Sequence, residues 1–248
     1  MRLLSLAVSV VFFASACGAP KPKPDAGPDT SCGLDCVAQE NYGLVLNRCF
    51  EYGTNRTTGE NPPALGVWVK PELFELEGGL KVIEVEYRQG GQIVQTDFFT
   101  LTNGDLVLMR RIARSQSVTY RTGMSITGVK WLTSVTSTGE NFSTNTTAFL
   151  SRDNSETATA YRITTDVPAA DEKRAPLGTY DNGIKILFGE SPDHGSDSRR
   201  VFVPGLGFTL IASPFNLTGG SPTPVFLQRV RDLGTADGGN EPCSLGTP

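Results

Sequence analysis

The sequence predicts a mainly β fold, a curved antiparallel sheet shaped as a half-barrel, a barrel or a sandwich, with little helix. Three observations lead there. Short runs alternate apolar and polar residues, tight-turn pairs separate the runs, and no helical stretch of 10 to 15 residues intervenes. The last point argues against a parallel α/β arrangement, which needs a helix between strands.

The clearest run is LKVIEVEYRQGGQIVQTDFF. Ile83, Val85 and Tyr87 share one face, and Glu84, Glu86 and Arg88 share the other. Gly90-Gly91 supplies a turn, so strands are predicted over 80–88 and 92–100. Asn103-Gly104 turns the chain into DLVLMRRI over 105–112, where Leu106, Leu108 and Arg110 alternate with Val107, Met109 and Arg111. Both faces begin apolar, which predicts burial on both sides or a bend, and in a strand each adjacent arginine pair splits across two faces. Further strands are predicted at 117–121, 124–132, 145–150, 157–164, 183–188, 200–203, 206–212 and 224–229. The stretches STNTTAFL and ETATAYRITT are rich in Thr, which suits a half-buried pleated surface. Asp181-Asn182-Gly183 marks another tight turn, and RVFVPGLGF hinges two strands at Pro204-Gly205, as an edge tolerates. One short helix is expected near 32–42.

The chain opens with Met1 and Arg2, then runs apolar from Leu3 to Ala14, interrupted by Ser5 and Ser9. One charge and about a dozen apolar residues fit an export signal, and a spanning helix needs about 20. Ala14, Ser15 and Ala16 then precede Cys17. This ASAC-G stretch resembles the lipobox of bacterial lipoproteins, with Ala14 where Leu is usual. The resemblance implies that Cys17 receives a diacylglyceryl group and becomes the amino terminus. Several acyl chains would anchor it durably, since each buried methylene contributes about 0.8 kcal/mol. It also implies that Gly18, in place of an Asp, directs the protein to the outer membrane. Residues 18–31, GAPKPKPDAGPDTS, carry Pro20, Pro22, Pro24 and Pro28 and read as an extended tether. Their composition resembles linkers in lipoproteins of myxobacteria. The expected organisation is a signal peptide over 1–16, a lipidated Cys17 with its tether over 17–31, a cysteine-bearing segment over 32–60 packed on the main domain, and a β domain over 61–248.

Five cysteines are present. With Cys17 acylated, Cys32, Cys36, Cys49 and Cys243 remain, and an even number in an exported chain predicts two disulfides with three possible pairings. One bridge is expected to tie the tail at Cys243 back to an N-terminal cysteine, whose identity stays open. The C-x₃-C-x₁₂-C spacing, with the last cysteine far away, does not suit zinc.

Lys and Arg number 22 against 26 Asp and Glu, for a net charge of −4. No basic stripe points to nucleic acid.

The order LKVIEVEYRQGGQIVQTDFFTLTNGDLVLMRR, then APLGTYDNGIKILFGE, then RRVFVPGLGFTLI is similar to exported bacterial proteins built on a concave sheet, the periplasmic lipoprotein-carrier half-barrels. The similarity covers about 80–112 and 175–212. It implies a concave face that accommodates an acyl chain or the apolar segment of another protein.

Candidate sites are few. His194 stands beside Ser196 and Asp197, yet neighbours in sequence do not make a triad, and no G-x-S-x-G elbow occurs. Asp181, Asn182, Glu190, Asp193 and Asp197 are oxygen donors without EF-hand spacing, and Glu190, Asp193 and Asp197 form the one loop in which a metal is considered. Glu84 and Glu86 read as solvated carboxylates on a charged face. Asn55, Asn141, Asn145 and Asn216 match the N-glycosylation acceptor, coincidentally if the host is bacterial. Trp68, Trp131, Phe98, Phe99, Tyr87 and Tyr161 either line a groove or fill a core, and core is expected.

The expectation is a non-enzymatic envelope lipoprotein, without cofactor, held by acylated Cys17 and acting through binding or structural interaction with an envelope protein or apolar ligand. The alternative is a carrier or acceptor of lipid or an apolar segment in a concave sheet. An envelope hydrolase comes third.

Overall fold

Alternation along the strands gives each an inner and an outer face, and their order folds the sheet back on itself. The computed structural model describes residues 33–53, 65–89, 92–113, 116–122, 124–134, 136–151, 154–175, 178–190, 198–213 and 225–235. In chain order these form α1 (Leu34–Tyr42), β1 (Arg48–Gly53), β2 (Leu65–Val69), β3 (Phe74–Leu76), β4 (Leu80–Gln89), β5 (Gln92–Thr102), β6 (Asp105–Ala113), β7 (Gln116–Thr122), β8 (Ser125–Ile126) and β9 (Val129–Leu132). There follow β10 (Asn141–Leu150), β11 (Ser155–Asp166), β12 (Arg174–Ala175), β13 (Gly178–Thr179), β14 (Ile184–Glu190), β15 (Ser198–Val203), β16 (Gly207–Ser213) and β17 (Val225–Thr235).

The main sheet is antiparallel throughout and runs β7-β10-β11-β14-β15-β16-β17-β1-β2-β4-β5-β6. It returns to its start where Arg110–Ala113 of β6 pair with Gln116–Thr119 of β7. Leu106–Leu108, the other half of β6, pair with β9 instead. Among the described residues β9 makes no pairing with β10, whose ladders are to β11 and β7. The fold is therefore a barrel closed except for one seam, between β9 and the first half of β10. Closure removes the exposed edges that an open sheet of this length would leave.

Inward residues fill the interior. Ile83, Val85 and Tyr87 of β4, Phe99 of β5, Leu106 and Leu108 of β6, and Trp131 of β9 are all buried there. Phe99 and Phe208 meet Trp131 edge-on at 5.3 and 6.1 Å. Tyr52 of β1 spans to β16 and donates its hydroxyl to Phe208 O at 2.6 Å.

The expected two-sided burial of β6 has a specific cause. Its inner residues join the barrel core, while Val107 and Met109 join a second cluster with Leu76, Val82 and Phe98 on the outer wall, beneath β3. A bulge opposite Phe98/Phe99 then lets Arg110 face out and Arg111 face in.

Several expectations are adjusted. The strand predicted over 124–132 is two strands, divided at Gly128, whose φ is +68. A Cβ there would stand 2.5 Å from Met109 Sδ and Val107 Cγ1, so only glycine lets the chain cross β6 so closely. The strand at 145–150 begins earlier, at Asn141, and β1, β2 and β3 are additional. Their runs are short and sit beside turn-rich sequence, which hid them. The Asn103-Gly104 turn is as predicted, with positive φ at both residues (+54 and +84).

The expected framework of two disulfides is corrected. Among the described residues no two cysteines are joined to each other. Cys49 is disulfide-bonded, and Cys32, Cys243 and the side chain of Cys36 lie outside the described residues.

Candidate functional site

The candidate site is the barrel interior together with the helix that covers one mouth. That mouth is ringed by the β5–β6 turn at Asn103-Gly104, the β15–β16 turn at Pro204–Leu206 and the β9–β10 connection. α1 lies across it. The helix ends at Gly43, whose φ of +65 lets its N–H reach Gln39 O while Leu44 N–H reaches Ala38 O. Among the described residues two tertiary hydrogen bonds hold it down. Tyr42 Oη donates to Gly104 O at 2.5 Å, and Gly205 N–H donates to Asn41 O at 3.2 Å. Ala38 and Tyr42 are buried against the core, with the Tyr42 ring 6.1 Å from Phe202. Burial, then the nearby Asp105, pushes the Tyr42 phenol up to about 12.

Two voids accompany the helix. One of about 130 Å³ lies between α1 and the β9–β10 connection, lined by Glu40, Asn41, Tyr42, Thr133, Ser134 and Thr136 among others. The second, about 20 Å³, is lined by Tyr42, Gly43, Leu44, Tyr87, Phe208 and Ile211 among others. Space of that size holds about one water molecule, so with α1 seated this void is too small for an apolar chain.

The interior also carries charge. Asp97 has no exposed surface and lies in phase with Gln95 and Phe99 on the inner face of β5. It accepts from Arg111 Nε and Nη2 at 2.7 and 3.0 Å, and from Gln95 Nε2 at 2.9 Å to each oxygen. Arg200, 5% exposed, enters from β15. Its guanidinium lies 4.5 Å from the Trp131 ring centre and 5.1 Å from that of Phe208, and Nη1 donates to Tyr87 Oη at 3.1 Å. Arg111 reaches the same indole at 5.4 Å. Burial pushes the Tyr87 phenol up to about 12, with Arg200 opposing and Asp97 adding to the rise.

The aromatic residues expected as core divide between faces. Trp131, Phe99 and Tyr87 are inside. Phe98 is in the outer cluster, and Trp68 is on the outer wall with Lys70 Nζ 3.9 Å above its ring. The side chain of Tyr161 lies outside the described residues. Glu84 and Glu86 share the outer face as predicted, yet Glu86 is buried rather than solvated. It accepts from Lys70 at 3.1 Å and from Arg88 at 2.7 and 2.8 Å. Burial raises the Glu84 carboxyl. Asn141 and Asn145 are exposed on β10, and Asn141 Oδ1 accepts from Arg162. His194, Asp193, Ser196, Asp197, Asn55 and Asn216 lie outside the described residues, as does the side chain of Glu190 at the end of β14. Among the described residues no three His, Cys, Asp or Glu side chains gather as a metal site.

The inner charged layer was missed. Its signal was present: Gln95, Asp97 and Phe99 share one parity, as do Arg200 and Phe202. A charge in phase with core aromatics points inward whenever the strand is covered on that side.

Comparison of the chain with known protein families, curated proteins and solved structures gives no match. No helix among the described residues is long and apolar enough to cross a membrane. The expectations of a lipoprotein, a palmitate and outer-membrane attachment find no support in the fold or in these comparisons, and they are dropped. Cys17 lies outside the described residues.

Proposed function

We propose that this chain is a non-catalytic binding protein that takes a lipid chain or apolar segment into its barrel, with α1 as the occupant that gives way. The observation that carries this reading is the way the mouth is closed. The walls are ladders of backbone hydrogen bonds, whereas the cover is one nine-residue helix whose tertiary hydrogen bonds, among the described residues, run through Tyr42 and Gly205 beside an unpaired seam. The surfaces that α1 covers are aromatic and aliphatic, as ligand sites generally are. Because the void among the core residues beneath the seated helix is only about 20 Å³, uptake there requires the helix to move.

The test is saturable uptake of an apolar naphthylamine probe by the full chain, displaced by long-chain lipid. Tyr42→Phe removes one bond that holds the helix, which costs the covered state about 1 kcal/mol. Apparent affinity should then rise about fivefold, because the competent fraction rises by that factor. Absence of saturable uptake in both proteins overturns the proposal. It would favour a second reading, a structural interaction module, which the filled interior supports.

A further inference from the structure

A groove of about 520 Å³ lies on the outer wall, apart from the barrel interior. It is lined by the Glu77-Gly78 turn that follows β3, by the β7–β8 hairpin at Met124–Ile126, and by Arg121 and Glu156. That volume is in the range of small-molecule sites. Strand register puts its polar groups on one surface. Arg110 pairs with Thr119, Thr119 with Phe149, and Phe149 with Glu156 across four neighbouring strands. Arg121 is two residues on from Thr119 and shares that outward face.

The two outward arginines have different surroundings. Arg110 gives Nη2 to both oxygens of Glu77 at 2.5 and 2.6 Å, and Nε to Thr119 Oγ1 at 2.9 Å. Its charge is matched. Arg121 lies over the Phe149 ring, 4.3 Å from the ring centre, and among the described residues its guanidinium makes no hydrogen bond or ion pair. Its Nε is enclosed without an acceptor, so bulk water does not serve it either. Enclosed donors in folded chains are nearly always bonded, and an orphan calls for an explanation. A guanidinium supported on an aromatic face keeps its planar fork of donors, which fits a carboxylate.

The rest of the groove sets the ligand's charge and body. Arg110 holds the Glu77 carboxyl below its usual range, chiefly through its hydrogen bonds, and Glu156 is exposed. One negative charge can pair with Arg121, whereas a second would face two carboxylates. Leu80 and Ile126 pack on the outer apolar cluster, and Met124 stands almost wholly in solvent. An unbranched thioether adapts to the shape of what it covers.

We infer that this groove binds a small organic monocarboxylate, with the carboxylate on Arg121 and an apolar body against Leu80, Ile126 and Met124. The site is separate from the barrel interior and does not depend on uptake there.

The test titrates the full chain with phenylbutyrate, with its neutral counterpart phenylbutanol, and with phenylsuccinate, which carries a second carboxylate. Calorimetry gives the affinities, and the Nε–Hε resonance of Arg121 locates the ligand. Phenylbutyrate should move that resonance and bind at least about tenfold more tightly than phenylbutanol, the factor that a hydrogen bond to a charged group supplies. Phenylsuccinate should bind no more tightly than phenylbutyrate. Arg121→Gln should bring phenylbutyrate to the level of the alcohol and leave the alcohol unchanged. Glu156→Gln removes a neighbouring negative charge and keeps Arg121, so it should strengthen both acids and leave the alcohol unchanged. Absence of acid binding, or equal binding of phenylbutyrate and phenylbutanol in the wild type and in Glu156→Gln, overturns the inference. Tighter binding of phenylsuccinate overturns it as well. Displacement of the naphthylamine probe by phenylbutyrate with the Arg121 resonance unmoved puts the acid in the barrel, which overturns the inference and leaves the uptake reading standing.

Discussion

Replacing Gly43 by Ala tests whether α1 is seated as described, and two separable costs follow from the geometry. The residue has φ +65, a conformation that costs an L side chain about 1–2 kcal/mol. The added Cβ would also stand 2.5 Å from Gly207 N and from Leu206 O. Both are backbone atoms, so no rotamer relieves the overlap. Either the helix end or the β15–β16 turn must shift by about 1 Å to restore ordinary contact, and overpacking of this kind costs about 1–3 kcal/mol. The sum is about 2–5 kcal/mol, borne by the contact that holds the helix over the mouth. Gly78→Ala is the control. Its φ is +81 and nothing lies within 4 Å of an added Cβ, so only the conformational cost applies. Urea unfolding of the two variants gives the difference, and probe uptake reports whether the mouth opens. We expect Gly43→Ala to be less stable than Gly78→Ala by at least about 1 kcal/mol and to bind the probe more tightly than wild type. Equal stability together with unchanged uptake would refute the seating of α1 and the gate built on it.

Two further predictions concern the charged layer and the buried phenols. Asp97→Ala leaves Arg111 without its carboxylate partner inside the barrel and should cost about 3 kcal/mol, the low end for a broken buried pair because Arg111 keeps some exposure. The double variant Asp97→Leu with Arg111→Met should recover most of that loss in urea unfolding, and a double variant as unstable as the single would show that the pair is not the cause. Tyr42 and Tyr87 both titrate near 12 when folded, against about 10 in an unfolded chain. The unfolded state therefore loses these protons first, so their contribution is complete below pH 10 and declines as pH rises toward 12. Absorbance titration should show at least two phenols ionising late, and Tyr87→Phe should remove one of them. Ionisation of every phenol near pH 10 would contradict the burial described.

Much of the wall was legible from periodicity and turn chemistry. Ile83, Val85 and Tyr87 lie inside because a period of two is a local property of extended chain, and Asn103-Gly104 turns because its backbone tolerates positive φ. Arg110 and Arg111 do split between faces, but the bulge at Phe98/Phe99 reverses the faces that alternation from Leu106 and Leu108 gives them. What was not legible depends on distant residues. Glu86 appears solvated when read beside Glu84, yet it is buried because β2 brings Lys70 alongside it.

The amino-acid order alone therefore determined that this chain is a twisted antiparallel sheet with a short helix before it, since propensity, alternation and tight turns act over a few residues. Only the tertiary structure decided that the sheet closes at β6–β7, that α1 covers one mouth, and that Asp97 pairs with Arg111 while Arg111 and Arg200 both lie against Trp131. Those outcomes depend on which strand pairs with which across large separations, and on desolvation, which no local pattern encodes. The same inward parity gives a core residue or a ligand contact according to what arrives from the opposite wall.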